Sequence, residues 1–131
     1  MINPALRPHT RPFNKTLVEL LQPFYYGCIE HQVEIEVPKR FRFDGMSIPR
    51  ATWSIIGSPF LPRNIGPGLV HDAIYRYGID KHGNKVSRKT ADLILDHCLM
   101  LNGVPKWRRV IVFRGLRLGG WVAWRKHRSK D

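Results

Sequence analysis

The hydrophobic pattern of this chain changes its period once, and this change limits the folds that the chain can adopt. Between residues 33 and 37 apolar and acidic side chains alternate, which places Val33, Ile35 and Val37 on one face of a β-strand. From residue 69 onward, apolar side chains recur every three or four residues, as they do along one side of an α-helix. Strands that come before helices, instead of alternating with them, predict an α+β fold.

The first third of the chain contains three further segments whose apolar and aromatic composition is typical of strands, namely Leu17–Leu20, Phe24–Tyr26 and Phe41–Phe43. We predict that they join the alternating segment in one small N-terminal antiparallel sheet. Chain reversals are expected at Gly27 and at Pro38-Lys39.

About three helices are predicted after the sheet. The first carries His71 and ends at Tyr77-Gly78, where glycine suits the left-handed position that follows a helix. The second runs from Arg88 to about Asn102, and Ser87 is expected to cap its N-terminus. The third opens with Pro105, since proline is favoured in a first helical turn. The polar connector between the first two helices is short, so we expect these two helices to form an antiparallel pair.

The segment between the sheet and the His71 helix is rich in residues that form turns. Its first part, Phe43-Asp44-Gly45-Met46-Ser47-Ile48-Pro49, predicts a turn that leads into a short helix through Trp53 to Ile56. Residues 57–68 are predicted to be an irregular loop. Asp44 has two interpretations, either as a side chain that stabilises the turn or as an acid that faces a site opposite the His71 helix.

A length of 131 residues suits a single domain with its own core. We divide the chain into an extended basic arm over residues 1–15, one α+β domain over residues 16–125, and a basic tail over residues 126–131. Residues 1–15 lack the apolar core of a secretory signal, and no stretch reaches the ~18 uncharged apolar residues of a membrane span. We therefore expect a cytoplasmic product whose two cysteines, Cys28 and Cys98, are buried and reduced.

The charge of the chain is strongly positive and uneven. Lys and Arg number 22 against 10 acids, a formal net charge of +12. From Lys106 onward there are nine Lys or Arg and one acid, with tryptophans among them. Such a surface is typical of proteins that contact lipid headgroups or a nucleic-acid backbone. The predicted phosphate-binding residues are Arg108, Arg109, Arg114, Arg117, Arg125 and Lys126. The alternative, compatible with this one, is a terminal helix that packs its tryptophans on the core and leaves a solvated basic face.

The candidate chemical site lies on the His71 helix. His71 and Tyr75 are four residues apart, so they share one face, and Asp72 lies about 100° around the helix. We expect this trio at the edge of the core. An antiparallel second helix would bring Asp92 near His71 and Tyr75, where a carboxylate could accept the phenol proton and orient the imidazole. Two alternatives remain open: the cluster only joins the helices, or Asp92 is an exposed acid in a first helical turn.

The chain also resembles, in the order and spacing of its motifs over roughly residues 15 to 125, a family of unknown function that is widespread in tailed bacteriophages and prophages. The motifs that carry this resemblance are Val37-Pro38, the Phe43–Pro49 run, Val70-His71-Asp72-Ala73-Ile74-Tyr75, Ser87-Arg88-Lys89-Thr90-Ala91-Asp92, Gly103-Val104-Pro105-Lys106-Trp107-Arg108 and Gly120-Trp121. The resemblance implies a phage origin and production in the host cytoplasm, with the virion as a second location, but no activity.

A shorter resemblance implies a mechanism. The pattern His71-Asp72-x-x-Tyr75, followed on the next helix by Ala91-Asp92, is similar to the active-site helices of phospholipase A2, especially the compact form in parvovirus capsids. The resemblance implies that His71 is the general base, that Tyr75 and Asp92 support it, and that Asp72 binds calcium (Ca2+). The calcium would polarise the ester carbonyl and stabilise its oxyanion. The family's glycine-rich calcium loop is not recognisable here, and Asp44 is the second metal ligand that we consider.

Two functions from different classes follow. The first is a calcium-dependent hydrolase of phospholipid esters that a phage uses when it enters or lyses a cell. The second is a non-enzymatic virion component, in the tail, connector or ejection apparatus, whose basic termini contact DNA or neighbouring subunits in an oligomeric assembly. The polar cluster favours the hydrolase, while the charge of +12 favours the structural component.

Overall fold

The computed structural model describes residues 10–13, 17–28, 30–43, 54 and 65–128. Within them, antiparallel strands precede four helices, which confirms the predicted α+β class. The predicted Asp44 turn and the loop over residues 57–64 lie outside the described residues. So does the predicted helix through Trp53 to Ile56, apart from Ser54, which is helical and exposed.

The strands form two small antiparallel sheets instead of the single sheet predicted. They are β1 (Thr10–Pro12), β2 (Val18–Leu20), β3 (Phe24–Cys28), β4 (Val33–Val37) and β5 (Arg42–Phe43). One sheet has the order β1-β2-β5, and the other is the β3-β4 hairpin. The prediction was wrong because β2 pairs with β5, with Val18 opposite Phe43. Among the described strands, the hairpin that lies between them in sequence forms a separate sheet.

The hairpin confirms the alternation of the β4 sequence but corrects one turn. Val33, Ile35 and Val37 are buried, and the two glutamates between them are exposed. Gly27, predicted to be a turn, lies within β3 opposite Glu34. The chain instead reverses just after β3, where Gln32 has a φ of 54°. The strand continues through Gly27 because the residues on either side of it both face the core, which keeps the two-residue period intact.

Part of the predicted N-terminal arm is a strand. Residues Thr10–Pro12 pair with β2, and Arg11 lies opposite Glu19. The Glu19 carboxylate accepts hydrogen bonds from Arg11 Nη2 at 2.8 Å and from Arg42 Nε at 3.1 Å. These bonds hold the pKa of Glu19 below its ordinary value. The arm therefore joins the fold through a carboxylate that two arginines share.

The helices are α1 (Ile65–Tyr77), α2 (Arg88–Leu101), α3 (Lys106–Gly119) and α4 (Trp121–Arg128). The first begins earlier than predicted, because Pro67 lies in the first turn, where a missing backbone N–H removes no helical hydrogen bond. The third predicted helix is divided at Gly120, and its second part extends to Arg128, into the segment predicted as a basic tail. None of the helices in the described ranges is long and apolar enough to cross a membrane.

The boundaries of the α1–α2 pair confirm the predicted capping residues. Gly78 follows α1 with a φ of 66°. The Ser87 side chain accepts a hydrogen bond from the Thr90 backbone N–H at 3.1 Å. Between them, Asp80 Oδ1 accepts the backbone N–H groups of His82 and Asn84, each at 2.9 Å. This closed connector returns the chain and lets α1 and α2 pack as an antiparallel pair.

Within the part of the chain that the structure describes, the core has two parts. The larger joins the strands to α1 and α2, and Trp124 of α4 packs against it. The smaller lies between α2 and α3 and consists of Leu95, Leu99, Val112 and Leu116. Cys28 and Cys98 are both buried and form no disulfide, as predicted. Burial raises the pKa of Cys98 to about 12, so this thiol stays protonated and behaves as a small apolar side chain.

Candidate active site

The packing of α1 on α2 brings three of the predicted site residues together. His71 Nε2 lies 2.9 Å from Asp92 Oδ1, and the Tyr75 hydroxyl donates to the same oxygen at 2.7 Å. The predicted approach of Asp92 to these two side chains is confirmed. The alternative that Asp92 is an exposed first-turn acid is wrong, since the residue is 0% exposed.

Two arginines complete the surroundings of Asp92. Arg117 Nη1, from α3, donates to Asp92 Oδ2 at 2.9 Å, and Arg88 Nη1 lies 3.6 Å from the same oxygen. Arg88 stands four residues before Asp92 on α2, so the spacing could have identified it. Arg117 was predicted to bind external phosphate. In the structure its guanidinium binds Asp92 while its side chain stays 33% exposed, and no local sequence signal indicates a contact between residues 25 positions apart.

The junction of α3 and α4 passes very close to the cluster. Arg88 Nη1 donates to the Leu116 carbonyl at 2.9 Å, near the end of α3. Gly120 follows directly, and a Cβ atom there would lie 2.5 Å from the Tyr75 hydroxyl and 2.7 Å from the Leu116 carbonyl oxygen. Only glycine therefore fits this approach without displacing its neighbours. The Trp124 ring then packs edge-on against the Tyr75 ring, with 5.2 Å between centroids.

The hydrogen bonds decide the ionisation of the cluster. Burial disfavours a charged Asp92, but hydrogen bonds from His71, Tyr75 and Arg117 outweigh it, so the pKa of Asp92 lies below its ordinary value. Burial and the adjacent Asp92 carboxylate raise the pKa of Tyr75 well above its ordinary value. Asp92 is therefore an acceptor and Tyr75 a donor across the physiological pH range.

This ionisation fixes the tautomer of the neutral His71 imidazole. An ionised carboxylate can only accept a hydrogen bond, so the ring proton resides on Nε2, which faces Asp92 Oδ1. The other ring nitrogen, Nδ1, then has the lone pair that can accept a proton. An imidazole held in this way by a carboxylate has the arrangement of a general base.

The cluster is buried, whereas we predicted it at the edge of the core. His71 and Tyr75 are both 0% exposed, and Asp72 is 6% exposed. The prediction of an edge position was wrong. Part of the cover of Tyr75 comes from α4, whose Arg128 Nη2 donates to the Tyr75 carbonyl at 2.9 Å and whose Trp124 ring lies against the Arg128 guanidinium. His71 has no exposed surface in this structure.

The predicted metal ligands are not brought together within the described residues. Asp72 is buried on α1, and Asp44 lies outside the described residues. Across residues 10–13, 17–28, 30–43, 54 and 65–128, no group of three or more His, Cys, Asp or Glu side chains could hold a metal ion. Calcium takes six to eight oxygen ligands, and Asp72 is the one predicted calcium ligand that the described residues include.

The predicted phosphate-binding residues divide into two groups. Arg117 binds Asp92, and Arg109 Nη1 donates to Asp96 Oδ2 at 3.1 Å, so both are engaged within the fold. Arg114, Arg125 and Lys126 are exposed, and Arg108 is half-buried. The guanidinium of Arg108 stacks on Trp107 at 5.1 Å and that of Arg125 on Trp121 at 5.6 Å.

Comparisons with known proteins place the chain in a family. It is 34% identical over 76 residues to the "Uncharacterized protein y4jT" of Sinorhizobium fredii (strain NBRC 101917 / NGR234), which covers 55% of this chain. The chain spans only a fifth of the length of that curated relative, 20%. No solved structure matches the chain. Residues 18–116 match the family described as "Protein of unknown function (DUF1353)", so the chain belongs to the DUF1353 family.

Proposed function

We propose that this protein is a metal-assisted hydrolase of phospholipid esters, with a site similar to that of phospholipase A2, and that it is of phage origin. The observation that carries the proposal is the shared oxygen Asp92 Oδ1, which accepts from Tyr75 at 2.7 Å and lies 2.9 Å from His71 Nε2. The phage origin rests on the resemblance of the chain's motifs, in order and spacing, to those of a family that is widespread in tailed bacteriophages and prophages. The hydrolytic role rests on this geometry.

In the proposed reaction, His71 Nδ1 takes a proton from a water molecule whose oxygen attacks the ester carbonyl carbon. The resulting imidazolium is stabilised by the ionised Asp92, which Tyr75 and Arg117 hold in place. The tetrahedral intermediate then expels the alcohol oxygen of the lysophospholipid, and that oxygen receives the proton from His71. The products are a fatty acid and a lysophospholipid. A calcium ion held in part by Asp72 would supply Lewis acidity at the carbonyl oxygen.

Arg117 distinguishes this site from a simple pair of His and Asp. Its guanidinium donates to Asp92 Oδ2, whereas His71 and Tyr75 contact Oδ1, so both carboxylate oxygens are held. A carboxylate held in this way cannot rotate away from the imidazole without breaking an ion pair. The site is therefore preorganised, which lowers the cost of reaching the transition state.

The alternative is a non-enzymatic virion component in the tail, connector or ejection apparatus, for which His71, Tyr75 and Asp92 only hold the helices together. The observation that favours it is burial, because neither His71 nor Asp92 has exposed surface. In this alternative the basic C-terminal helices contact DNA or neighbouring subunits. The two proposals differ in whether the purified protein has an activity that depends on His71.

The test is the release of fatty acid from phospholipid vesicles, with calcium and with a chelator in its place. We expect release by the wild type that His71→Gln reduces by at least about a hundredfold, since general-base catalysis contributes about 10² to 10⁴. The control is His97→Gln, which removes a partly exposed histidine on α2 whose Nδ1 lies 3.1 Å from Glu30. Equal activity of wild type and a folded His71→Gln, or no activity in the wild type, would favour the virion component.

A further inference from the structure

The solvent-facing side of α3 is apolar, whereas that side is usually polar in a helix on the surface of a globular protein. Trp107, Ile111, Arg114 and Leu118 follow one another at intervals of four, three and four residues, which places them on one face. Val112 and Leu116, on the opposite face, supply the buried contacts of the helix. The face that points away from the core is thus mainly apolar.

Two further exposed apolar side chains follow the break at Gly120, at the start of α4. Trp121 and Val122 are 46% and 57% exposed, while Trp107 is 60% and Leu118 80% exposed. We name Trp107, Ile111, Arg114, Leu118, Trp121 and Val122 the outer stripe. A patch of large exposed apolar side chains marks a surface that interacts with a protein or a membrane.

The charges on the two helices that carry the outer stripe have one sign. From Lys106 to Arg128 the chain has eight Lys or Arg and no Asp or Glu. Guanidinium groups also lie on both exposed tryptophans, Arg108 on Trp107 and Arg125 on Trp121. Fourteen residues of helix span roughly 21 Å, so these Trp-Arg pairs stand near the two ends of the stripe. The partner that best matches this surface is therefore anionic over an extended area.

We propose that the outer stripe docks the protein on an anionic phospholipid surface. Tryptophan and aliphatic side chains enter the boundary between headgroups and acyl chains, and the arginines contact lipid phosphates, as in amphipathic helices that lie in the interface. A nucleic acid would use the cations and the tryptophans but would leave the aliphatic side chains without an apolar partner. A second copy of the chain would bring two surfaces of like charge together, with a net charge of +12 on each chain.

The docking surface extends the proposed function, on which its role in substrate delivery rests. It would bring a buried ester-hydrolysing site to its substrate, and α4, which carries part of the outer stripe, also covers Tyr75 through Trp124. The binding itself requires no chemistry at His71. Docking and hydrolysis can therefore fail separately.

The test is co-sedimentation of the full chain with vesicles of ether-linked phospholipids, which contain no ester to hydrolyse. One set contains phosphatidylcholine alone, and the other contains phosphatidylcholine mixed with phosphatidylglycerol. We expect binding to the anionic set only, with a blue shift of tryptophan fluorescence. Ile111→Ser with Leu118→Ser should weaken binding by at least about tenfold, because both side chains leave water on docking. Arg114→Gln with Arg125→Gln should weaken it by about fivefold per charge at low salt.

Matched controls lie outside α3 and α4. Tyr25→Ser removes an aromatic side chain of 42% exposure from β3, and Lys39→Gln with Lys85→Gln removes two exposed charges. These variants and His71→Gln should bind vesicles within about twofold of the wild type. Circular dichroism melting checks that each variant is folded.

Three outcomes would overturn the docking proposal. The first is equal binding to both vesicle sets. The second is unchanged binding of the variant with Ile111→Ser and Leu118→Ser. The third is a loss of vesicle binding in the control variants as large as the loss in the outer-stripe variants. Binding of a DNA duplex that depends on the arginines, without vesicle binding, would assign the surface to nucleic acid. Vesicle binding by a protein that hydrolyses no ester would retain the docking surface and reject the proposed function.

Discussion

Arg117 and Asp92 form an ion pair across the α2–α3 interface, with 2.9 Å between Nη1 and Oδ2. The Asp92 side chain is fully buried and that of Arg117 is 33% exposed. Because Oδ1 of the same carboxylate accepts from Tyr75 and faces His71, the pair connects α3 to the candidate site. Asp96, one turn further along α2, forms a comparable pair with Arg109 at 3.1 Å but is partly exposed.

Asp92 is more buried than Asp96, so we predict that Asp92→Asn lowers the free energy of unfolding more than Asp96→Asn does. Asp92→Asn removes the charge that compensates Arg117, and we expect a loss of about 3 kcal/mol in the free energy of unfolding. Asp96→Asn, its matched control on the same helix, should cost no more than about 1 kcal/mol, since Asp96 is 31% exposed and a carboxylate in contact with water gains little from its ion pair. Urea denaturation of both variants measures the two values. Equal losses would mean that Asp92 is not the central acceptor of the cluster.

The lowered pKa of Asp92 predicts how this difference depends on pH. The folded carboxyl has a lower pKa than the unfolded one, so its ionisation stabilises the fold above about pH 4. That stabilisation is lost as the pH falls through the folded value. The gap in unfolding free energy between the wild type and Asp92→Asn should therefore be constant from about pH 6 to 7 and shrink below about pH 4. A gap that widens on acidification would contradict a lowered pKa.

The approach of Gly120 to Tyr75 predicts that a single methyl group is harmful at this position. Gly120→Ala would place a Cβ atom 2.5 Å from the Tyr75 hydroxyl, and we expect a loss of about 1 to 3 kcal/mol through overpacking. Tyr75→Phe removes that hydroxyl. In a double-mutant cycle the two changes should therefore cost less together than the sum of the single changes. Strict additivity would show that the α3–α4 junction does not contact Tyr75.

The proposed calcium ligand predicts binding that depends on Asp72. Isothermal titration calorimetry of the wild type with calcium should give a dissociation constant in the range of about 10⁻⁶ to 10⁻³ M, and Asp72→Asn should abolish the heat of binding. The control is Asp80→Asn, which changes a half-buried acid in the connector between α1 and α2. Calcium binding that survives Asp72→Asn would remove Asp72 from the proposed site.

The sequence predicted those parts of the fold that depend on local periodicity and on capping. The alternation over Val33–Val37 identified the buried face of β4, and the spacing of His71 and Tyr75 with the cap at Ser87 identified α1, α2 and their meeting point near Asp92. These features depend on side chains only a few residues apart. The sequence is therefore sufficient to specify them.

The features that were missed all depend on contacts between distant segments. The pairing of β2 with β5 divides the strands into two sheets, although each strand alone would also fit a single sheet. The contact of Arg117 with Asp92 and the packing of Trp124 on Tyr75 both follow from α3 and α4 lying against the first helix pair. An arginine that binds a buried carboxylate and an arginine that is exposed have the same local pattern, so only the tertiary structure separates Arg117 from Arg114.

An ionised Asp92 holds the His71 imidazole with its proton on Nε2, and the proposed general base requires this tautomer. Nitrogen NMR of histidine-labelled protein under alkaline conditions, with the His71 signal assigned through His71→Gln, measures this tautomer directly. We predict a protonated Nε2 and an unprotonated Nδ1, and Asp92→Asn should disturb this state while Asp96→Asn leaves it unchanged. A proton on Nδ1 in the wild type would contradict the account, because Nδ1 could not then act as the base.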